Sequence, residues 1–360
     1  MRDRALGYLY VDPLGGVREA DADATLDAVA SRKAWDAVGV VADLDGTCLD
    51  AALDRMAAGE AEVLVVVDGL PHGRRGDKSM YDRARREGWR FFLLHLGVEQ
   101  GGPLWDRLEE LWTAGRAAAP LARVPMPPPR LRRRVSGNTD ASAFEGQAAV
   151  FLRDAAAALR RQGADVGAAR SVLDFGCGPG RLLRHLVGLL PDAEMTGVDV
   201  DPEPIAWLAA NLSRARAATV PELPPTELPP DAYDLVIAFS VFTHLDARRQ
   251  DAWLAELARV TAPGGHALVT VHGDTFVELV RQHPLSEIPA AAAAELTSAG
   301  MGYWPGASDE LPDWYGVAVH TSAYVRDHWS RWFDVLDVVP GGAQVTHDLV
   351  VMRRPARGAR

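Results

Sequence analysis

Between Ser171 and Arg181 the chain reads Ser-Val-Leu-Asp-Phe-Gly-Cys-Gly-Pro-Gly-Arg, an apolar run ending near an acid and opening into a loop with glycine at alternate positions. A strand this apolar suits a parallel sheet, where both faces are covered. Gly176, Gly178 and Gly180 let the backbone turn tightly and lie close against a ligand. The pattern turns helical over Leu182 to Leu190, and a second strand, Met195 to Asp199, ends in another carboxylate. Such a βαβ unit presents a glycine loop to one end of a nucleoside and a carboxylate to its ribose hydroxyls.

A dinucleotide-binding loop would carry glycine or alanine where Arg181 stands. The order Asp-x-Gly-x-Gly-x-Gly, with an acid ending the next strand, instead resembles motif I of class I methyltransferases, which bind S-adenosylmethionine. Four later segments follow in that family's order. Asp199-Val200-Asp201-Pro202 resembles its ribose-binding acidic loop, and Asp231 to Ser240 resembles motif IV, a buried strand ending beside the methyl group. Val241-Phe242-Thr243-His244-Leu245 opens the following loop and helix. Leu254 to Thr270 reads as helix, Pro-Gly-Gly turn and strand.

The resemblance covers about residues 135–354 and is of the bacterial small-molecule type. It implies a Rossmann-like seven-stranded α/β sheet and S-adenosylmethionine as cofactor. Asp174, Gly176, Cys177, Gly178 and Gly180 would serve its methionine end, with Cys177 as a small packing residue. Asp199 and Val200 would serve the ribose, and Phe239 and Ser240 would lie beside the methyl group. The helix running to about Arg161 resembles one that closes over the cofactor, placing Ser136 to Asp140 near it, although Asp140 serves equally well as a helix N-cap.

Methyl transfer is an in-line displacement, so alignment matters most and a base is needed only where the acceptor must lose a proton. His244, four residues past Ser240, is the candidate base; its alternative role is packing against the helix after motif IV. Downstream, Val271-His272-Gly273-Asp274, an alanine-rich helix over Ala290 to Ala299, Met301-Gly302-Tyr303-Trp304-Pro305 and Asp313-Trp314-Tyr315-Gly316 combine aromatics with glycine and proline. His272, Tyr303, Trp304, His320 and Tyr324 are the candidate substrate-pocket residues, with plugging of a loop against the sheet as the alternative. Trp332 to Val339 and Asp348 to Arg353 form a hairpin around Gly341-Gly342.

The Ala117–Arg134 stretch, with prolines 120, 125, 127, 128 and 129, is the best linker candidate. It divides the chain into a smaller N-terminal α/β domain (1–118), a Pro/Arg-rich linker (119–134), in which Arg130 to Arg134 reads as a solvated basic cluster, and the methyltransferase domain (135–360). The first domain alternates strands (Ala5–Val11, Ala37–Ala42, Glu62–Asp68, Trp89–Leu96) with helices (Ala22–Trp35, Leu49–Ala58, Ser79–Glu87, Pro103–Trp112), a pattern for a largely parallel sheet. Val40 to Thr47 resembles the first motif of haloacid dehalogenase phosphatases, but the partner residues those enzymes need do not follow. Asp68 to Lys78 is a glycine-rich charged loop without the P-loop pattern. Dimerisation, giving a homodimer, is the preferred expectation for this domain, with binding of the acceptor or an activity of its own as the alternatives.

A net charge of −11 over 360 residues gives no general attraction to nucleic acid or anionic membranes. Motif IV also lacks the Asn/Asp-Pro-Pro-aromatic signature for a flipped base. No apolar run spans a bilayer, and Cys48 and Cys177 make neither a redox nor a zinc pair, so a cytoplasmic location is expected. Ser240 to Leu245 carries no carboxylate cluster, so no metal is expected. The leading expectation is O- or N-methylation of a small molecule in specialised metabolism. C-methylation, or a cofactor-binding scaffold or sensor without turnover, are the alternatives.

Overall fold

The computed structural model describes residues 2–10, 19–43, 49–68, 86–93, 98–99, 124–137, 139, 141–282, 287–306, 312, 314–344 and 346–356. The first sheet consists of β1 (Arg4–Tyr10), β2 (Asp36–Asp43), β3 (Val63–Asp68), β4 (Arg90–Leu93) and β5 (Val98–Glu99), in the order β2-β1-β3-β4-β5. All neighbours are parallel except β4 and β5, matching the expected largely parallel layer. Helix α1 (Glu19–Lys33) buries Ala22, Leu26, Val29 and Ala30 at helical spacing, in one core with Ala5, Val63 and Val65. Helix α2 (Leu49–Ala57) buries Leu53 and Met56. The expected helices at 79–87 and 103–112, the Asp45-Gly46 turn and the 69–78 loop fall wholly or mostly outside the described residues.

The second sheet has seven strands: β6 (Ser171–Phe175), β7 (Glu194–Asp199), β8 (Ala215–Thr219), β9 (Tyr233–Ala238), β10 (Thr261–Val271), β13 (Asp334–Ala343) and β14 (His347–Arg353). Their order is β13-β14-β10-β9-β6-β7-β8. Strands β6 to β10 pair in parallel, and β14 enters antiparallel between β10 and β13. The chain moves outward from β6 through β7 to β8, then returns to β9 on the other side. The switch point between β6 and β9 is where an open α/β sheet binds ligands, at the carboxyl ends of its strands.

Two apolar layers cover this sheet. On one, α4 (Ala141–Arg161) buries Ala148, Phe151, Ala155, Ala158 and Leu159 with α5 (Leu183–Leu189). On the other, α7 (Ala247–Val260) buries Trp253, Leu254, Leu257 and Val260. It starts at Asp246, whose side chain accepts from the Arg249 N–H at 2.8 Å, an N-cap. The Pro-Gly-Gly turn expected before the fifth strand is instead a bulge within β10, with the register shifting between Thr261 and His266. Pro263 has no N–H for the ladder, which bulges there.

The linker also departs from expectation. From Pro129 it forms helix α3 (Pro129–Ser136), ended by Gly137 in the left-handed region at φ 75°. Consecutive prolines suggest extended chain, yet proline suits the first turn of a helix, where its missing N–H costs nothing. Nor is the arginine cluster simply solvated. Arg134 pairs with Asp201 at 2.5 Å and with Glu203 at 3.1 Å, and Arg130 also pairs with Glu203. Those two acids open α6 (Pro202–Asn211), where Asp201 is the N-cap.

Candidate active site

A cavity of about 480 Å³ opens at the switch point. Its walls come from the glycine loop, the ends of β7 and β9, helix α3, Trp314 and Tyr315, and the β13–β14 turn. That volume suits a nucleoside-sized ligand with room for a partner.

The glycines of the loop adopt φ values of 74°, 51° and 87°. A Cβ at Gly176 would lie 2.3 Å from Val241 Cγ2, one at Gly178 2.6 Å from Val135 Cγ1, and one at Gly180 2.6 Å from Leu208 Cδ1. Each position therefore requires glycine twice, for conformation and for space, and the neighbours are protein side chains. The loop is held from below as well: the Gly178 N–H donates to Asp199 Oδ2 at 2.8 Å, and Asp201 N–H donates to Asp199 Oδ1 at 2.9 Å. Asp199 thus orders the loop while facing the cavity. Burial raises its pKa and these backbone donors oppose the rise.

Of the expected cofactor residues, Gly176, Gly178, Asp199, Val200, Phe239 and Ser240 stand on the cavity wall. Asp174, Cys177 and Gly180 lie behind it. Cys177 is buried against the β7 backbone, where a Cβ on Gly197 would meet its Sγ at 2.8 Å, and burial pushes its thiol well above the usual range. Asp174 is buried, with Oδ2 lacking a hydrogen-bond partner among the described residues. Desolvation raises its pKa to about 7, against the field of Arg181.

His244 lines the cavity and stacks on Tyr315 at 4.1 Å between ring centroids. Its Nδ1 donates to the Gly316 carbonyl at 2.9 Å. Since a carbonyl can only accept, the neutral ring keeps its free lone pair on Nε2. Burial lowers the His244 pKa to about 4, so the ring is neutral near pH 7.

The substrate-pocket candidates fall elsewhere. None of His272, Tyr303, Trp304, His320 and Tyr324 lies on the cavity wall. Tyr303 and Trp304 belong to β11 (Met301–Pro305), which pairs antiparallel with β12 (Gly316–His320). The Tyr303 hydroxyl donates to the Trp314 carbonyl at 2.7 Å, supporting the next segment instead of facing a ligand. His320 is fully buried and bonded to Gln250, whose Nε2 donates to the Phe242 and Leu245 carbonyls. It braces the loop bearing His244. His272 stacks on Phe276 at 3.9 Å, and Tyr324, on α10 (Ser322–Trp329), stacks on His328 at 4.6 Å.

Other residues supply those walls. Trp314 and Tyr315 come from the aromatic run of the sequence, but Gln147, Arg181, Gln344, Thr346 and His347 carried no sequence signal. His347 Nε2 lies 3.2 Å from Ser240 Oγ. Ser240 and Gln344 adopt φ values of 61° and 60°, left-handed conformations that cost a side-chain-bearing residue energy and gather at functional sites. Glu222, just past β8, also lies on the cavity wall.

The sheet order, with its antiparallel seventh strand, and a glycine loop facing a strand-ending carboxylate define a class I methyltransferase fold. Residues 173–267 match the family described as "Methyltransferase domain". The C-terminal segment of the chain is a class I S-adenosylmethionine-dependent methyltransferase domain. The chain is 32% identical over 123 residues to a malonyl-[acyl-carrier protein] O-methyltransferase of Anoxybacillus flavithermus, covering 31% of this chain and 42% of that protein. It is 31% identical over 115 residues to the protein of the same description from Hahella chejuensis, covering 31% and 40%. The chain thus spans about two fifths of the length of these curated relatives. Among solved structures, it is similar to the 1,6-didemethyltoxoflavin-N1-methyltransferase of Burkholderia thailandensis at 17% identity and TM-score 0.41, covering 67% of this chain and 91% of that one. Among the described residues no helix is long and apolar enough to cross a membrane, and no group of three or more His, Cys, Asp or Glu is arranged to hold a metal.

Proposed function

We propose that this chain transfers a methyl group from S-adenosylmethionine to an oxygen or nitrogen of a small molecule, with His244 Nε2 as the base. The observation that carries this reading is the fixed His244 tautomer at the cavity wall. The site fits the cofactor on its own terms: a left-handed glycine loop, a wall carboxylate on Asp199 and a cavity of nucleoside size. Gly176, Gly178, Asp199, Val200, Phe239 and Ser240 would hold it, and when bound it supplies an electrophilic methyl on a sulfonium. Both oxygens of Asp199 already accept one backbone N–H, leaving each a lone pair for a ribose hydroxyl.

The protein's own chemistry is then alignment and proton removal. Tyr315 and Trp314 wall the cavity beside His244, and the Gly316 carbonyl holds His244 in the tautomer that accepts a proton at Nε2. The relatives' O-methyltransferase descriptions favour oxygen as acceptor.

Calorimetric titration with S-adenosylmethionine and S-adenosylhomocysteine tests the cofactor. Micromolar binding by the wild type, weakened in Asp199→Asn, supports it. A folded wild type that binds neither ends the reading. Methyl transfer by His244→Gln at the wild-type rate would remove the base while leaving the cofactor.

A further inference from the structure

Two arginines three positions apart follow the glycine loop, and both are buried: Arg184 at 3% and Arg181 at 7% exposure. Arg184 is satisfied. It pairs with Glu145 at 2.6 Å and donates to the carbonyls of Val124 (2.9 Å) and Pro125. Arg181 feels the charge of Asp174 but has no carboxylate within 4.0 Å among the described residues, where its hydrogen bond runs from Nη1 to the Gln147 side-chain oxygen at 2.8 Å. Its guanidinium lies 4.1 Å over the Phe239 ring, whose other face stacks on Phe151 at 4.4 Å. Arg181 is on the cavity wall. Burying a charge without a close partner is costly, and stacking on one ring together with the more distant Asp174 offsets only part of that cost.

We propose that the methyl acceptor carries a carboxylate, or an equivalent anion, and that Arg181 is the residue that binds it. This deepens the methyltransferase reading and rests on it. Three further observations bear on it. Arg181 faces both ends of the site: its field reaches Asp174, expected at the cofactor's methionine end, and also His347, edge-on at 6.0 Å to the Phe239 ring under it, and Tyr315, the residue stacked on His244. Gln344 Nε2 and Trp314 Nε1, both of residues on the same cavity wall, are buried donors without partners among the described residues. These unmet wall groups are donors, which suits a ligand that accepts hydrogen bonds, while Asp174 Oδ2, the unmet acceptor in the field of Arg181, lies behind the wall. Burial lowers the Arg181 pKa only to about 10, leaving it charged at neutral pH.

The carboxylate of the cofactor's methionine end has the same chemistry, and the test separates the two sources. Trp314, Tyr315 and Phe239 suggest aromatic probes, so 4-hydroxybenzoate is compared with its uncharged amide, 4-hydroxybenzamide, on protein saturated with S-adenosylhomocysteine. The wild type should bind the carboxylate at least about tenfold more tightly, the worth of one charge-assisted contact. Arg181→Gln should erase that preference and Arg181→Lys keep part of it, while the affinity for S-adenosylhomocysteine stays within about threefold.

Equal binding of the two probes by the wild-type complex, including none of either, overturns the proposal without any variant. A preference that survives in folded Arg181→Gln also overturns it. If Arg181→Gln loses S-adenosylhomocysteine but still binds 5′-methylthioadenosine, which lacks the amino-acid end, the charge serves the cofactor and the proposal fails. A folded wild type that does not bind S-adenosylhomocysteine fails the underlying reading instead, and the two failures are thereby distinguished.

Discussion

His244 and Gly316 hold each other twice: the Gly316 N–H donates to the His244 carbonyl at 3.1 Å, and His244 Nδ1 donates back to the Gly316 carbonyl at 2.9 Å. The proposed base and the start of β12, next to the cavity-lining Trp314 and Tyr315, are therefore placed by one contact. His244→Gln should lower methyl transfer by about 10² to 10⁴ while leaving S-adenosylhomocysteine affinity near the wild-type value. With a pKa of about 4, the base stays unprotonated down to mildly acidic pH. The acid limb of kcat/KM should accordingly fall near pH 4, and a limb near 6.5 would show that another group takes the proton.

The glycine loop tolerates no side chain. Gly176→Ala would combine a left-handed backbone with a 2.3 Å approach to Val241, and Gly178→Ala would do the same against Val135. Each should cost about 2–4 kcal/mol, the sum of a strained conformation and overpacking. Urea unfolding measures that loss directly. A cost below about 1 kcal/mol would mean that the loop can move away from both valines.

Stability should depend on pH through a set of buried rings opposed by buried acids, Asp174 among them. His244 and His320 have pKa values lowered to about 4 and His347 to about 3, all through burial. Unfolded, each titrates near 6.5. Between those values the unfolded chain binds more protons, so the contribution is complete above pH 6.5 and is lost as the pH falls toward 3, by about 1.4 kcal/mol per unit for each ring. Asp174 works the other way. Its pKa, raised to about 7, makes the folded chain the better proton binder between about 4 and 7, so its contribution falls as the pH rises. Asp174→Asn should therefore steepen the acid loss, as followed by unfolding midpoints from pH 4 to 7.

Glu145 is buried between Arg184, at 2.6 Å, and His185 Nε2, also at 2.6 Å. Glu145→Ala strands the Arg184 charge, and removing one partner of a buried pair costs about 3–5 kcal/mol. Because Arg184 also holds the carbonyls of Val124 and Pro125, hydrogen exchange should rise near those residues before it rises in the sheet. Unchanged protection there would show that the pair does not anchor the segment.

The parts of the site that were legible in sequence are those built from neighbours along the chain. The glycine loop, Asp199, Ser240 and His244 each sit where a strand ends, and strand ends are marked by apolar runs meeting glycine or acid. Strand β8 was missed because Ala-Arg-Ala-Ala-Thr is a largely exposed edge strand without apolar alternation, and Glu222 was missed with it. Arg134 was hidden by the prolines before it, which suggest extended chain although they also start a helix. His320 and Tyr303 looked like pocket residues because aromatics near glycines suggest a ligand. Their polar atoms instead brace the loops that carry His244 and Trp314. Gln344 and His347 reach the cavity wall only through the pairing of β13 with β14, a relationship that no window of sequence contains.

That last pairing sets a sequence of events in synthesis. Strand β14 must slide between β10 and β13, so the turn at 344–347 takes its place only after residues as late as Arg353 are available. Chains fold from the N-terminus as they emerge. A nascent chain can thus form the glycine loop between β6 and β7 before Gln344, Thr346 and His347 complete the cavity, and a chain cut short of the final hairpin would lack that wall.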